Sequence, residues 1–178
     1  MDPVRNPYSP GAGIRPAELA GRDREIEAFA VVRERARQRR NTRSIVFHGL
    51  RGVGKTVLIN ELADAARAEN WIVAKVEADL EATTPFRNQV AQALNVALRQ
   101  AQGKSSRSGR FAAALRTFKS FSLRAAPDGT LSVGIDLEPA LGRGDTGVLQ
   151  ADLTDLALDL GDAAVELGAG VALFIDEM

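Results

Sequence analysis

Gly49-Leu50-Arg51-Gly52-Val53-Gly54-Lys55-Thr56 follows the pattern G-x-x-x-x-G-K-(S/T), and these residue types at this spacing suit one kind of chemistry. Glycines let the backbone curl so that successive N–H groups converge on phosphate oxygens, and a helix opening directly behind adds positive potential. Lys55 is placed to reach β- and γ-phosphates, and the Thr56 hydroxyl to ligate Mg²⁺. The bland alternative is an ordinary glycine turn. Average composition produces the four fixed positions about once in a hundred such chains or less. The strand-like Ser44–His48 before the loop and the helical pattern after it supply the context that phosphate binding needs. Gly49, Leu50, Arg51, Gly52, Val53, Gly54, Lys55, Thr56 and Val57 are therefore read as the cradle of an ATP or ADP phosphate tail.

Val171-Ala-Leu-Phe-Ile-Asp176-Glu177 is an apolar run ending in two acids. Many strands end in an exposed acid, so the run is weak by itself. Beside a phosphate loop it gains a role: Asp176 holds Mg²⁺ opposite Thr56, and Glu177 polarises an attacking water. Lys55 and Glu177 are the catalytic candidates; Thr56 and Asp176 are the metal candidates. His48, the single histidine, reads as a strand-end residue, Arg51 as a solvent-facing loop arginine, and Trp71 as core. No Ser-His-Asp set and no cluster of metal-ligand spacing is present.

These residues need elements to hold them. Four prolines before residue 17 make the start an extended loop. Helical spacing predicts a helix from Asp23 to about Arg40 and another after the loop, with Leu58, Ile59, Leu62, Ala63 and Ala66 on one side. Trp71–Ala78 reads as a second buried strand. Thr84 caps a helix with Pro85 at its first position, continuing through Val90, Leu94, Ala97 and Leu98. Gly103–Gly109 reads as a flexible connector and residues 110–121 as a short basic helix. The strand-like runs SFSLRAA and TLSVGIDL flank Pro127-Asp128-Gly129 and predict a β-hairpin, expected to project as a contact element. A last helix over Val148–Leu167 and a strand over 171–176 complete the order.

The whole chain sets bounds. Its 178 residues suit one core, 45% hydrophobic and 26% charged residues are ordinary for a globular protein, and zero cysteine removes disulfides and thiolate metal sites. No stretch approaches the roughly 18 apolar residues of a membrane span, and the start carries no secretory signal; cytoplasmic location without membrane contact is the default. The formal net charge of +0 hides a dipolar layout. No acid lies between Glu81 and Asp128, where Arg87, Arg99, Lys104, Arg107, Arg110, Arg116, Lys119 and Arg124 fall, while eight acids follow Arg143 without a cation. A nucleic-acid face is one reading. The other is solvated helix faces that partly neutralise one another.

Strand–helix alternation around such a loop implies an α/β architecture with a parallel sheet. The chain resembles P-loop NTPases, and the acid directly after Asp176 resembles the division that uses a catalytic glutamate. Glu18-Leu19-Ala20-Gly21-Arg22-Asp-Arg-Glu25 before a helix and the loop is similar to the opening of AAA+ ATPases, closest to origin-recognition-type initiators and STAND signalling ATPases. That resemblance implies a three-layer fold with residues 1–22 as an N-terminal segment, 23–178 as a partial nucleotide-binding domain and an insertion with the hairpin at about 103–147. It places Leu19, Ala20, Gly21 and Arg22 against the adenine. It also implies that a strand following Met178 would lie between Ile45–Phe47 and Ala172–Ile175, leaving the domain incomplete at its C-terminus and those two edges unpaired. The function implied is Mg²⁺-dependent ATP binding, with hydrolysis driving conformational or assembly change and a homo-oligomer or regulated protein as partner. The alternatives are a non-hydrolysing switch and a DNA-acting ATPase.

Overall fold

Two six-residue strands set among longer helices make the described residues an α/β chain. The computed structural model describes residues 21–50, 52–78, 84–105, 109–126 and 137–176. In order, the elements are α1 (Asp23–Arg37), α2 (Lys55–Ala68), β1 (Ile72–Glu77), α3 (Phe86–Ser105), α4 (Gly109–Ala125), α5 (Leu149–Glu166) and β2 (Val171–Asp176). They divide into two compact units, Met1–Ala68 and Glu69–Met178. Among the described residues no helix is long and apolar enough to cross a membrane.

The first unit pairs α1 with α2. Acids in the first turn of α1 and arginines in its last turn complement the helix dipole. The helix stops at Arg37, short of the expected Arg40, because Arg39 turns left-handed at φ 55° and the Arg40 N–H closes onto the Arg35 carbonyl at 2.9 Å. Phe29 is its buried anchor, with the Arg33 guanidinium 5.2 Å from the ring centroid. Arg33 Nη1 also donates to the Ala65 carbonyl of α2 at 3.2 Å, so one side chain ties the two helices. The expected stripe of α2, from Leu58 to Ala66, is buried.

In the second unit β1 and β2 run parallel, in register from Ile72 opposite Val171 to Glu77 opposite Asp176. Because side chains alternate, Ile72, Ala74 and Val76 share one sheet face. They join a core with Val90, Leu94 and Leu98 of α3, Phe111, Phe118 and Phe121 of α4, and Leu156 and Leu160 of α5.

Four expectations need correction. Residues 44–48 form no strand, and the sheet of the described residues has the two strands β1 and β2. The expected connector is helical as far as Ser105, the end of α3. The first arm of the hairpin, residues 120–126, is mostly the last turn and a half of α4. The alternation in SFSLRAA suggested a strand, but Phe111, Ala114, Leu115, Phe118 and Phe121 recur every three or four residues and are buried together. Helical period therefore wins over local alternation. Far from projecting, this arm carries Phe121, which is fully buried; the turn and second arm, up to residue 136, lie outside the described residues. Pro85 takes the cap position expected for Thr84, its carbonyl accepting from the Gln89 N–H at 3.3 Å.

One acid organises the second unit. Asp152 sits on the inward side of α5 with its side chain fully buried, and Arg87 Nη2 donates to it at 2.5 Å. The Thr146 N–H and hydroxyl and the Gly147 N–H donate at 2.8, 2.6 and 3.2 Å, joining α3 and the segment before α5 to α5. Burial opposes ionisation, but the hydrogen bonds from Thr146 and Arg87 outweigh it and hold the carboxyl below the usual range.

Two outcomes follow. An added Cβ at Gly170 would lie 2.5 Å from the rigid Trp71 ring, so Gly170→Ala is expected to lower unfolding free energy by about 1–3 kcal/mol in urea titration. Asp152→Ala leaves Arg87 buried without its partner and is expected to cost about 3–5 kcal/mol. Because the folded pKa is lowered, Asp152 stabilises the fold above its unfolded value of 3.8 and loses that contribution as pH falls through the folded pKa. Acid denaturation of Asp152→Asn should accordingly lack that part of the parent's pH dependence.

Candidate phosphate-binding site

Within the first unit the glycine loop leads straight into α2. Gly52 and Gly54 adopt φ values of 83° and 82°, and an added Cβ at either would meet nothing within 4 Å. These glycines are thus required for backbone direction and not for room. The first helical hydrogen bond runs from the Leu58 N–H to the Gly54 carbonyl at 3.0 Å. The N–H groups of Gly54, Lys55, Thr56 and Val57 consequently find no acceptor among the described residues. Four donors at a helix N-terminus form an anion site by dipole and hydrogen bonding together.

Lys55 folds back over the loop, its Nζ donating to the Gly49 and Leu50 carbonyls at 3.0 and 2.9 Å. The ammonium is therefore held on the loop itself and not extended into solvent. Lys55, Thr56 and Val57 are half-buried, while Leu50 and Val53 are exposed. Arg22 reaches the same loop: its Nη2 donates to the Val53 carbonyl at 2.6 Å and its Nη1 to Glu25 at 2.7 Å. The hydrogen bond from Arg22 holds the Glu25 carboxyl below its ordinary value. Sequence reasoning missed this contact, which joins residues 31 apart. Gly21 precedes it at φ 77°. Leu19, Ala20, Arg51 and Glu177 lie outside the described residues.

In the second unit Asp176 ends β2, only 5% exposed and in register with Glu77. Lys75, Glu77, Phe174 and Asp176 share a sheet face, and Lys75 Nζ lies 3.8 Å from Asp176 Oδ2 and 3.5 Å from Glu77 Oε1. The Asp176 carboxylate thus already sits beside one cation. Thr56 in the first unit and Asp176 in the second each carry a hard oxygen donor, a ligand type that Mg²⁺ takes. No group of three or more potential His, Cys, Asp or Glu ligands occurs among the described residues.

His48 is exposed and Trp71 is buried. The acid-free middle segment is held inside the second unit at several points. Arg87 pairs with Asp152, Thr117 of α4 donates to Asp159 at 2.6 Å, and Lys119 donates to the Leu137 carbonyl at 2.6 Å. Arg143, just before the acidic stretch, bonds Asp159 at 2.8 Å. A signal for Asp152 was present in the sequence: it is an acid inside the apolar stripe Leu149, Leu153, Leu156, Leu160.

A family model described as an AAA ATPase domain matches residues 18–178. No curated protein and no solved structure gives a match.

Proposed function

The chain belongs to the AAA ATPase domain family, and from that premise we propose that it binds Mg-ATP through the Gly49–Thr56 loop and, in the intact protein, hydrolyses it to drive a conformational or assembly change. One observation carries the reading. The loop presents four N–H groups that have no acceptor among the described residues at the start of α2, while keeping the Lys55 ammonium on its own carbonyls. Phosphate oxygens are the natural acceptors for both: the N–H groups donate to them, and Lys55 exchanges neutral carbonyls for charged oxygens, a stronger class of hydrogen bond.

The remaining roles follow the chemistry of each side chain. The Thr56 hydroxyl and the Asp176 carboxylate would hold Mg²⁺, which would supply positive charge to offset that of the phosphates. Glu177, directly after the metal aspartate, orients and deprotonates the attacking water. Leu19 to Arg22 lie on the adenine side. The Gly21-Arg22-Asp-Arg-Glu25 opening supports membership of the origin-recognition and STAND-like branch, in which γ-phosphate contacts bias assembly with further copies or a regulated partner. Arg87 and Lys119 of the middle segment are engaged inside the second unit, so the nucleic-acid alternative rests on the exposed Arg99, Arg110, Arg116 and Arg124.

Calorimetry tests the assignment. Lys55→Ala is expected to weaken Mg-ATP binding at least tenfold, on the order of the value of a charge-assisted hydrogen bond; equal affinity in variant and parent overturns it. For turnover, Glu177→Gln in the intact protein is expected to keep ATP affinity and slow hydrolysis by about 10²–10⁴-fold. A parental rate would leave Glu177 as a plain strand-end acid.

A further inference from the structure

Arg22 differs from the other charged residues near the loop because its guanidinium is held at two points. Nη1 donates to Glu25 Oε1 at 2.7 Å, and Nη2 donates to the Val53 carbonyl at 2.6 Å. Both side chains are about a quarter exposed, at 27% and 28%, so the arrangement is partly shielded from solvent. Glu25 lies in the first turn of α1 and Arg22 at its cap position, which makes the fork a property of the helix end and not of a free side chain.

What the fork holds is a particular peptide. No cis peptide bond occurs among the described residues. In a planar trans peptide the C=O and N–H point in opposite directions. Fixing the Val53 carbonyl toward Arg22 therefore fixes the Gly54 N–H away from it. That N–H is the first of the four without an acceptor among the described residues. Gly54 at φ 82° gains its freedom from lacking a Cβ, and the same freedom lets the Val53–Gly54 peptide flip. A flip would turn a carbonyl, in place of an N–H, toward an approaching anion.

We propose that Arg22 is a positioning residue for the phosphate loop: by anchoring the Val53 carbonyl it sets the Gly54 N–H for donation to a nucleotide phosphate. Glu25 holds the guanidinium in the orientation that does this. The role rests on the ATP-binding reading above and deepens it, and it differs from the adenine contact that the sequence resemblance implies for Arg22. It also makes the conformation of the loop depend on where α1 stands.

The two roles separate when the base is removed from the ligand. Mg-ATP and inorganic tripolyphosphate with Mg²⁺ are titrated into the full chain, Arg22→Ala and Arg22→Lys by calorimetry. The expected result is that Arg22→Ala weakens both ligands by a similar factor, about tenfold, and that Arg22→Lys, with a single ammonium in place of the two-pronged fork, recovers part of it for both. Loss confined to ATP would overturn the proposal in favour of a base contact, and unchanged affinity for both would make Arg22 a bystander. A parent chain that binds neither ligand would overturn the ATP-binding reading itself and this role with it. Should Arg22→Ala fail to fold, Arg22→Gln takes its place. The Gly54 amide resonance then gives a second readout: its shift on adding tripolyphosphate should shrink in the variant, and an unchanged shift would overturn the proposal.

Discussion

The second unit depends on keeping one carboxylate ionised where water cannot reach it. A buried charge is tolerated only when its lost hydration is replaced by donors of good geometry. Asp152 receives them from Arg87, from both the amide and the hydroxyl of Thr146, and from the Gly147 amide. The requirement is mutual. Arg87 needs Asp152, and its guanidinium also lies 4.7 Å from the centroid of the Phe121 ring. The segment from 137 to 148 is further held by its own contacts to α4, including Ser120 Oγ donating to the Ala140 carbonyl at 2.8 Å. Charge satisfaction and aromatic packing thus specify the same arrangement of α3, α4 and α5.

The first unit works by the opposite principle. Its loop leaves backbone donors unsatisfied among the described residues and keeps a cation nearby, an arrangement that would be costly in a sealed core and is suited to a ligand that brings acceptors. The glycines at positive φ supply the curvature, and α1 supplies an external anchor through Arg22. Rigidity in the helices and an incompletely satisfied loop are complementary requirements: a loop that must present N–H groups in one direction has to be held from outside its own hydrogen-bond set.

The parallel ladder of β1 and β2 carries the chemistry in the second unit to a defined place. Register puts Asp176 opposite Glu77 at the ends of both strands. Alternation puts Lys75 on the same face, within 3.8 Å of the Asp176 carboxylate. One face of the ladder is committed to the aromatic core, and the other collects charge at the carboxyl ends of the strands, where open parallel sheets bind ligands.

Much of this was legible in the sequence, because short-range rules suffice for it. The phosphate-loop spacing, the apolar stripe of α2, the strand ending in Asp176 and the buried Trp71 each depend on residues within a few positions of one another. What periodicity could not settle was anything set by partners distant in the chain. Residues 120–125 read as a strand by alternation, yet burial of Phe118 and Phe121 among α3 and α5 made them helix. Residues 44–48 have strand composition but pair with no strand among the described residues, and a strand exists only by virtue of its neighbour. The Arg87–Asp152 pair spans 65 positions and the Arg22–Val53 contact 31. The sequence by itself determined where the glycine-rich loop pattern lies and which backbone positions are free to curl, through local spacing and residue type. Only the tertiary structure decided which charges are buried against each other and which arginine holds the loop, because those choices follow from desolvation and geometry between segments far apart in the chain.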